Sequence, residues 1–210
     1  MKIFCFGDSI TYGESDPKYG GWVDRLKVNF QNRYQEQFRQ ECFVYNLGIG
    51  GETTDGLANR MANEIEARSF KIEKNIVLLA YGSNDIVIHK NKNKVPIEYF
   101  RRNYTNCIQW CHSRSYKVIL LNLLPLVNKN DGKIDQHGNL RHSADVLKYN
   151  QELINIANDF SCLHIDINAE FSDRRHEDIY AFDGVHPNTR GHEIIYNLVE
   201  LKLENISLMD

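Results

Sequence analysis

Short apolar runs alternate along the chain with segments in which apolar residues recur at three- and four-residue intervals. Five apolar runs predict buried strands, at residues 2–6, 42–46, 75–81, 117–123 and 162–167. The helical intervals are those of Val23/Leu26/Phe30/Tyr34/Phe38, Leu57/Met61/Ile65, Ile97/Phe100/Tyr104/Ile108/Cys111, Val146/Tyr149/Leu153/Ala157/Phe160 and Ile194/Ile195/Leu198/Val199/Leu203. Because each parallel crossover needs a connecting element, this alternation predicts an α/β fold: a three-layer αβα sandwich with about five parallel strands.

One connection in this pattern is unusually long and polar. Residues 126–144 follow the fourth predicted strand at its carboxyl end. Loops of this length are typically mobile or functional, and open parallel sheets bind ligands outside the carboxyl ends of their strands. We therefore expect this insertion to overhang a site. No internal repeat or low-complexity linker divides the chain, so residues 1–210 are expected to form a single domain.

Charge and cysteine content narrow the function classes. The 25 Lys and Arg against 28 Asp and Glu give a net charge of −3 with interspersed signs, which disfavours a nucleic-acid partner. Five cysteines without a Cys-x-x-Cys pair indicate neither a disulfide framework nor a zinc ribbon. The first apolar run is too short for a signal peptide, and no segment approaches the length of a membrane span. We therefore expect a cytoplasmic protein with no membrane span.

Four polar segments follow strands or precede the last helix. Asp8 and Ser9 follow the first strand, residues 46–53 the second and residues 82–85 the third, whereas residues 183–187 precede the final helix. Since the carboxyl ends of parallel strands lie at one edge of a sheet, these segments are expected to converge there.

Together these segments contain the groups that acyl transfer requires. Ser9 is the candidate nucleophile, His186 the base, and Asp183 the carboxylate that holds the base. The amides of Ser9 and Gly51 and the side-chain NH2 of Asn84 are candidate oxyanion donors. Because the base acts only when it is unprotonated, activity is expected to fall at acid pH.

Each segment also has a structural explanation when it is taken alone. A Gly-Asp-Ser run is a common turn, a glycine-rich loop can simply need positive φ, and Asn84 and Asp85 can cap the next helix. Their joint occurrence at strand ends favours the catalytic interpretation. Residues on the same edge are candidates for a substrate rim: Asp8, Tyr12, Tyr81 and Asp85.

The set resembles the SGNH hydrolases, the GDSL-type esterase/lipase superfamily. "GDSIT" is similar to the first block of that family, with its serine at Ser9, and "NLGIGGETT" to the second, whose glycine falls on Gly51. "YGSND" is similar to the third block, with Asn84, and "DGVHPN" to the fifth, with Asp183 and His186. The resemblance covers nearly the whole chain and implies a flavodoxin-like fold that hydrolyses esters or thioesters without a cofactor.

Several functions remain open within and outside this resemblance. The first is a serine esterase that takes small-molecule esters with short acyl chains, for example an acetylated carbohydrate. The alternatives are a lysophospholipase or acyl-CoA thioesterase of the same family, and a non-catalytic carbohydrate- or lipid-binding module on this fold. A dinucleotide site is disfavoured because the third glycine of its motif would fall on Thr53. No zinc-protease histidine spacing occurs, so we expect scattered surface histidines and no metal or cofactor.

Overall fold

The computed structural model describes residues 1–37, 41–69 and 75–207, and a parallel sheet lies at its centre. The strands are β1 Lys2–Gly7, β2 Phe43–Gly48, β3 Asn75–Ala80, β4 Ile88–His89, β5 Lys92–Asn93, β6 Lys117–Leu121 and β7 Leu163–Ile165. Five of them form the parallel sheet in the order β2-β1-β3-β6-β7, whereas β4 and β5 form a small antiparallel hairpin. Numbered along the chain, the five-stranded order is 2-1-3-4-5, which is the flavodoxin-like order. The predicted α/β fold with five parallel strands is confirmed.

Helices cover both faces of this sheet. They are α1 Ser9–Tyr12, α2 Gly21–Gln37, α3 Thr54–Glu66, α4 Ile97–His112, α5 Ser143–Asp159, α6 Ile167–Ser172, α7 His176–Ile179 and α8 Thr189–Ser207. All five predicted helical patterns fall on observed helices, although Phe38 lies outside the described residues and Phe160 is the residue that follows α5. In the described part of the chain, no helix is both long enough and apolar enough to cross a membrane.

The two faces of the sheet build two separate hydrophobic cores. Successive strand side chains point to opposite faces, so Phe4 and Phe6 pack with α3, α4 and α5, whereas Ile3 and Cys5 pack with α2 and α8. β3 and β6 divide their residues in the same way. Because both faces are covered, these strands are apolar at nearly every position, which is why short apolar runs revealed them.

Two strands end earlier than predicted, because polar side chains accept hydrogen bonds from backbone amides at or just after their ends. The prediction extended β6 to residue 123, but the Leu123 amide donates to Asn150 Oδ1 at 2.8 Å. The last strand was predicted to reach residue 167 but ends at Ile165, because Asp166 caps α6 by accepting from the Ala169 amide at 3.0 Å. The second strand continues to Gly48, since backbone pairing with Gly7 needs no side chain.

The order of the strands reverses beside β1, whose neighbours are β2 and β3. Ligands in open α/β sheets bind in the crevice at such a switch point, outside the carboxyl ends of the strands. Ser9 follows β1 and Asn84 follows β3, so the fold brings both residues to this crevice.

Gly48, at the end of β2, allows the glycine-rich loop to lie against α1. A Cβ atom at Gly48 would lie 2.2 Å from the Tyr12 backbone nitrogen, whereas a Cβ at Gly50 would have no neighbour within 4 Å. We expect Gly48→Ala to lower the free energy of unfolding by about 1–3 kcal/mol, since the clash is with backbone. Gly50→Ala is the matched control and should change it by less than about 0.5 kcal/mol. Urea denaturation measures both values, and equal stabilities would contradict the close approach.

Candidate active site

Ser9, His186 and Asp183 form a continuous chain of hydrogen bonds. Ser9 Oγ lies 2.8 Å from His186 Nε2, and His186 Nδ1 lies 2.5 Å from Asp183 Oδ2. The side chains of His186 and Asp183 are only 8% and 7% exposed. An imidazole between a hydroxyl and a carboxylate can take the hydroxyl proton while the carboxylate fixes its tautomer and orientation.

Ser9 lies at an abrupt change from strand to helix. β1 ends at Gly7, Asp8 is the N-cap of α1, and Ser9 is the first helical residue. The Asp8 carboxylate accepts from the Ile10 amide at 3.0 Å, which fixes the start of this short helix. The helix ends after one turn at Gly13, whose φ of 102° lies in the left-handed region. The Ser9 amide belongs to the first turn of α1, which has no intrahelical acceptor for it.

Asp183 holds His186 through both of its carboxylate oxygens. Oδ1 accepts from the backbone amides of Val185 at 2.9 Å and His186 at 3.0 Å, which leaves Oδ2 for the imidazole. Burial alone would raise the pKa of Asp183, but the hydrogen bonds from the Val185 amide and from His186 outweigh it, and the pKa lies below its usual value. The carboxylate is therefore ionised and able to stabilise an imidazolium.

The glycine-rich loop after β2 forms a tight turn beside Asn84. The Glu52 amide donates to the Ile49 carbonyl at 3.2 Å, and Gly51 has a φ of 76°, as the third residue of a type II turn requires. The Asn84 side-chain amide donates to the Glu52 carbonyl at 3.1 Å. Asn84 therefore contacts the residue that follows Gly51, at the edge of the sheet where both were expected.

Comparison with known proteins identifies the family of the chain. The model of the GDSL-like lipase/acylhydrolase family matches residues 5–194. The chain belongs to this family. Among curated relatives, a Homo sapiens protein named isoamyl acetate-hydrolyzing esterase 1 homolog is 24% identical over 225 residues, which cover 99% of this chain and 85% of that protein. A lipoprotein of Bacillus subtilis is 27% identical over 134 residues, 61% of this chain, and the match spans only half of the relative's length.

Solved structures of an acylhydrolase and an esterase share the fold. A lipase/acylhydrolase from Enterococcus faecalis is 22% identical, with a TM-score of 0.75 over 97% of this chain and 95% of that chain. A catalytic mutant of an acetylxylan esterase from Geobacillus stearothermophilus is 20% identical, with a TM-score of 0.70 over 94% of this chain and 91% of that chain.

Three residues predicted at a substrate rim are buried instead. Asp8, Tyr81 and Asp85 are at most 3% exposed, whereas Tyr12 is 63% exposed and stays a candidate for the rim. Asp85 accepts from the amide and hydroxyl of Thr54, so it caps the start of α3 from another part of the chain. The rim prediction is therefore wrong for these three, because a strand-end position places a residue near the site without showing whether it faces solvent.

Tyr81 belongs to a buried network that fixes the glycine turn. The Arg60 guanidinium donates to both carboxylate oxygens of Glu52 and, at 2.6 Å, to the Leu47 carbonyl. The Tyr81 hydroxyl donates to Glu52 at 2.6 Å and accepts from Arg60 at 3.0 Å. The roles of Arg60 and Glu52 were not predicted, since an Arg and a Glu eight residues apart in the sequence look like ordinary surface charges.

The polar insertion at residues 126–144 lies over the site, as predicted. Asn130 donates to the Asp183 carbonyl at 2.9 Å, and the largely buried Arg141 donates to the Ser83 carbonyl at 2.7 Å. Arg141 also pairs with Asp135 at 2.7 Å. The position of Arg141 in the insertion could have suggested that it lies near the site. Its burial could not be predicted, because the surrounding segment is polar like a solvent-exposed loop.

Further ionisable side chains surround the His186 ring. Glu14 Oε2 lies 3.6 Å from its Nε2, and the His137 ring packs edge-to-face against it with centroids 5.9 Å apart. His192 is fully buried, and its Nε2 lies 3.0 Å from the Glu14 carbonyl. The prediction of scattered surface histidines is therefore wrong for His192, whereas His186 was predicted as the base.

Asp8 gives the site a pH-dependent stability. Burial raises its pKa to about 6, compared with ~3.9 in an unfolded chain. Between these values the folded state binds the extra proton, so this residue lowers stability as pH rises through that window. Asn keeps an acceptor for the Ile10 amide without a charge. The stability of Asp8→Asn relative to wild type should rise by on the order of 2 kcal/mol from about pH 4 to about pH 7.

Urea denaturation across that pH range measures the difference. Its value at the acid end, where Asp8 is neutral in the folded state, is the internal control for any change in packing. Parallel stability curves for the two proteins would show that burial does not penalise the Asp8 charge.

Proposed function

We propose that the chain is a serine esterase that hydrolyses esters of acetate or similarly short acids through an acyl-enzyme on Ser9. The observation that carries the proposal is the hydrogen-bonded chain from Ser9 through His186 to Asp183, at 2.8 and 2.5 Å. Membership of the GDSL-like lipase/acylhydrolase family supports the same class of reaction.

The first half-reaction forms the acyl-enzyme. Ser9 Oγ attacks the ester carbonyl carbon while its proton passes to His186 Nε2, and Asp183 stabilises the imidazolium. The bond from carbon to the leaving oxygen then breaks, and His186 returns the proton to that oxygen, which releases the alcohol. In the second half-reaction water attacks the acyl-enzyme with His186 as the base. The carboxylic acid is released and the Ser9 hydroxyl is regenerated.

Three donors would stabilise the oxyanion of each tetrahedral intermediate. They are the Ser9 amide, the Gly51 amide in its turn, and the Asn84 side chain. One Asn84 N–H is engaged by the Glu52 carbonyl at 3.1 Å, whereas its contact with Asp8 Oδ2 is long, at 3.4 Å. The oxyanion would replace this weaker contact.

The acyl group is inferred from a small cavity between the catalytic segments, whose lining is mostly apolar but includes Ser83 and Arg141. Its volume is about 20 Å³, little more than the ~10–15 Å³ that holds one water molecule on the same measure. Its walls include Ile10 next to Ser9, Val185 next to His186, and Leu123 and Leu126 after β6. A methyl group fits this volume, whereas a longer acyl chain would have to displace its walls.

The names of two similar proteins agree with this acyl size. Isoamyl acetate and acetylxylan, which appear in the names of the human relative and of the Geobacillus enzyme, are both acetate esters. For the alcohol, the candidates are exposed apolar side chains close in sequence to the catalytic segments: Tyr12, Ile49 and Phe182 are 63%, 46% and 91% exposed. The rings of Tyr12 and Phe182 would suit the apolar face of a sugar as well as an alkyl alcohol.

The other candidates draw less support from these observations. A lysophospholipase needs room for a long acyl chain, which the 20 Å³ cavity does not offer. A binding module would not need a base within hydrogen-bonding distance of a buried serine. A thioesterase for short acyl groups differs only in its leaving group, so substrate assays must separate it from an esterase.

The proposal predicts a steep dependence on acyl length that one residue controls. With p-nitrophenyl esters, kcat/KM should fall at least about tenfold from acetate to butyrate, because added methylenes exceed the cavity. Leu126→Ala should reduce this ratio by enlarging the cavity. Leu147→Ala is the matched control, since Leu147 is 66% exposed and not part of the cavity wall.

Ser9→Ala serves as the blank throughout, and acetyl-CoA and acetylated sugars extend the panel to other leaving groups. A kcat/KM that rises with acyl chain length would contradict the acetyl assignment. Hydrolysis by the Ser9→Ala protein at the wild-type rate would contradict the acyl-enzyme itself.

A further inference from the structure

One histidine beside the catalytic residues has no role in the mechanism above. His137 Nε2 lies 3.5 Å from Asp183 Oδ2, the same oxygen that contacts His186 Nδ1. One potential metal-ligand atom from each of His137, Asp183 and His186, a ring nitrogen or a carboxylate oxygen, lies within 4.8 Å of the other two. We propose that these three residues bind a divalent transition-metal ion such as Zn²⁺, and that the bound ion switches off the Ser9 site.

The spacing of the three side chains fits tetrahedral zinc. With Zn–N and Zn–O bonds of ~2.0–2.1 Å, neighbouring tetrahedral ligand atoms are about 3.3 Å apart. His137 and Asp183 already have this separation, at 3.5 Å. The 2.5 Å contact between Asp183 and His186 must widen by less than about 1 Å, as the ion replaces the proton that these two atoms share.

The type of ligand indicates the class of ion. Two imidazoles and one carboxylate are the donor set of many zinc sites that keep a fourth position for water, whereas Mg²⁺ and Ca²⁺ prefer sites made of oxygens. The His137 side chain is 43% exposed, so an ion has a path from solvent. Its Nε2 also lies 3.3 Å from the exposed Gln136 amide, a contact that the ion would displace.

The insertion holds His137 in this place. The Asp135 carboxylate accepts from the amides of His137 and Asn139, each at 2.9 Å, and pairs with Arg141. Asn130 ties the same loop to the Asp183 carbonyl. His137 is thus held close to the segment that carries Asp183 and His186.

Coordination would inhibit catalysis through the tautomer of His186. In the active state Nδ1 carries the proton toward Asp183, and Nε2 is free to accept from Ser9. When the ion occupies Nδ1, that proton moves to Nε2, since a neutral imidazole that binds a metal through one nitrogen carries its hydrogen on the other. Nε2 then donates and can no longer take the Ser9 proton. This switch rests on the proposed esterase function, but binding of the ion does not.

The test separates binding from activity. Zn²⁺ is titrated calorimetrically into the Ser9→Ala protein, into Ser9→Ala/His137→Ala and into Ser9→Ala/His142→Ala, with Mg²⁺ as the comparison ion. His142 is the matched control because it lies exposed in the same insertion and makes no side-chain capping bond. We expect one Zn²⁺ per chain, loss of His137 to weaken binding at least about tenfold, and the His142 variant to bind as its parent does.

A second measurement follows hydrolysis of p-nitrophenyl acetate by the protein with Ser9 intact. Zn²⁺ should inhibit it, a chelator should restore it, and His137→Ala should need at least about tenfold more Zn²⁺ for the same inhibition. If the Ser9→Ala protein binds no Zn²⁺, or binds it as tightly with His137→Ala as without it, the proposed metal site is wrong. Binding without inhibition overturns the switch, and absence of any hydrolysis refutes the proposed function while the titration still decides the site.

Discussion

The contact between Ser9 Oγ and His186 Nε2 joins residues 177 positions apart in the sequence, and the whole site depends on it. Such a contact cannot arise locally. It requires that β1 end at the carboxyl edge of the sheet and that the segment before α8 return to that edge. Parallel pairing of β1 with β2 and β3 sets the first condition, and the Asp183 turn, tied to the 126–144 insertion through Asn130, sets the second.

Three carboxyl groups near this contact illustrate how environment sets chemical role. Burial raises the pKa of Asp8 to about 6 and that of Asp85 to about 7, and each carboxyl is used to cap a helix. Asp183 accepts two backbone amides and an imidazole, and its pKa is lowered. Only this last group is arranged to stay charged beside a histidine, so the same residue type supports structure in two places and the proposed chemistry in the third.

The sequence predicted the architecture well because the signals of a buried parallel sheet are strong. Apolar runs such as residues 75–81 and helical intervals such as Leu57/Met61/Ile65 depend on burial alone. The rule that strand ends share an edge predicted the positions of Ser9, Gly51 and Asn84, whereas Asp183 and His186 precede the last helix and were recognised by their chemistry. The ends of strands were less predictable, because side chains such as Asn150 and Asp166 replace backbone partners through tertiary contacts.

The residues that support the site could not be predicted from the sequence, because their roles also depend on tertiary contacts. Arg60 and Glu52 act through a network with Tyr81, and Arg141 is buried by an insertion whose composition suggests a solvated loop. Tyr81 and Asp85 follow a strand that leads to the site, but the direction of each side chain depends on neighbours from other segments. Position along the chain predicts proximity, whereas exposure and hydrogen-bond partners come from three-dimensional packing.

The most direct measurement of the central claim is covalent labelling by a serine-directed organophosphorus reagent, followed by peptide mass mapping. If His186 activates Ser9, wild-type protein should take up one label, on Ser9, and His186→Ala should lose it at matched concentration and time. A label on a different serine, or equal labelling of Ser9 in both proteins, would contradict the account.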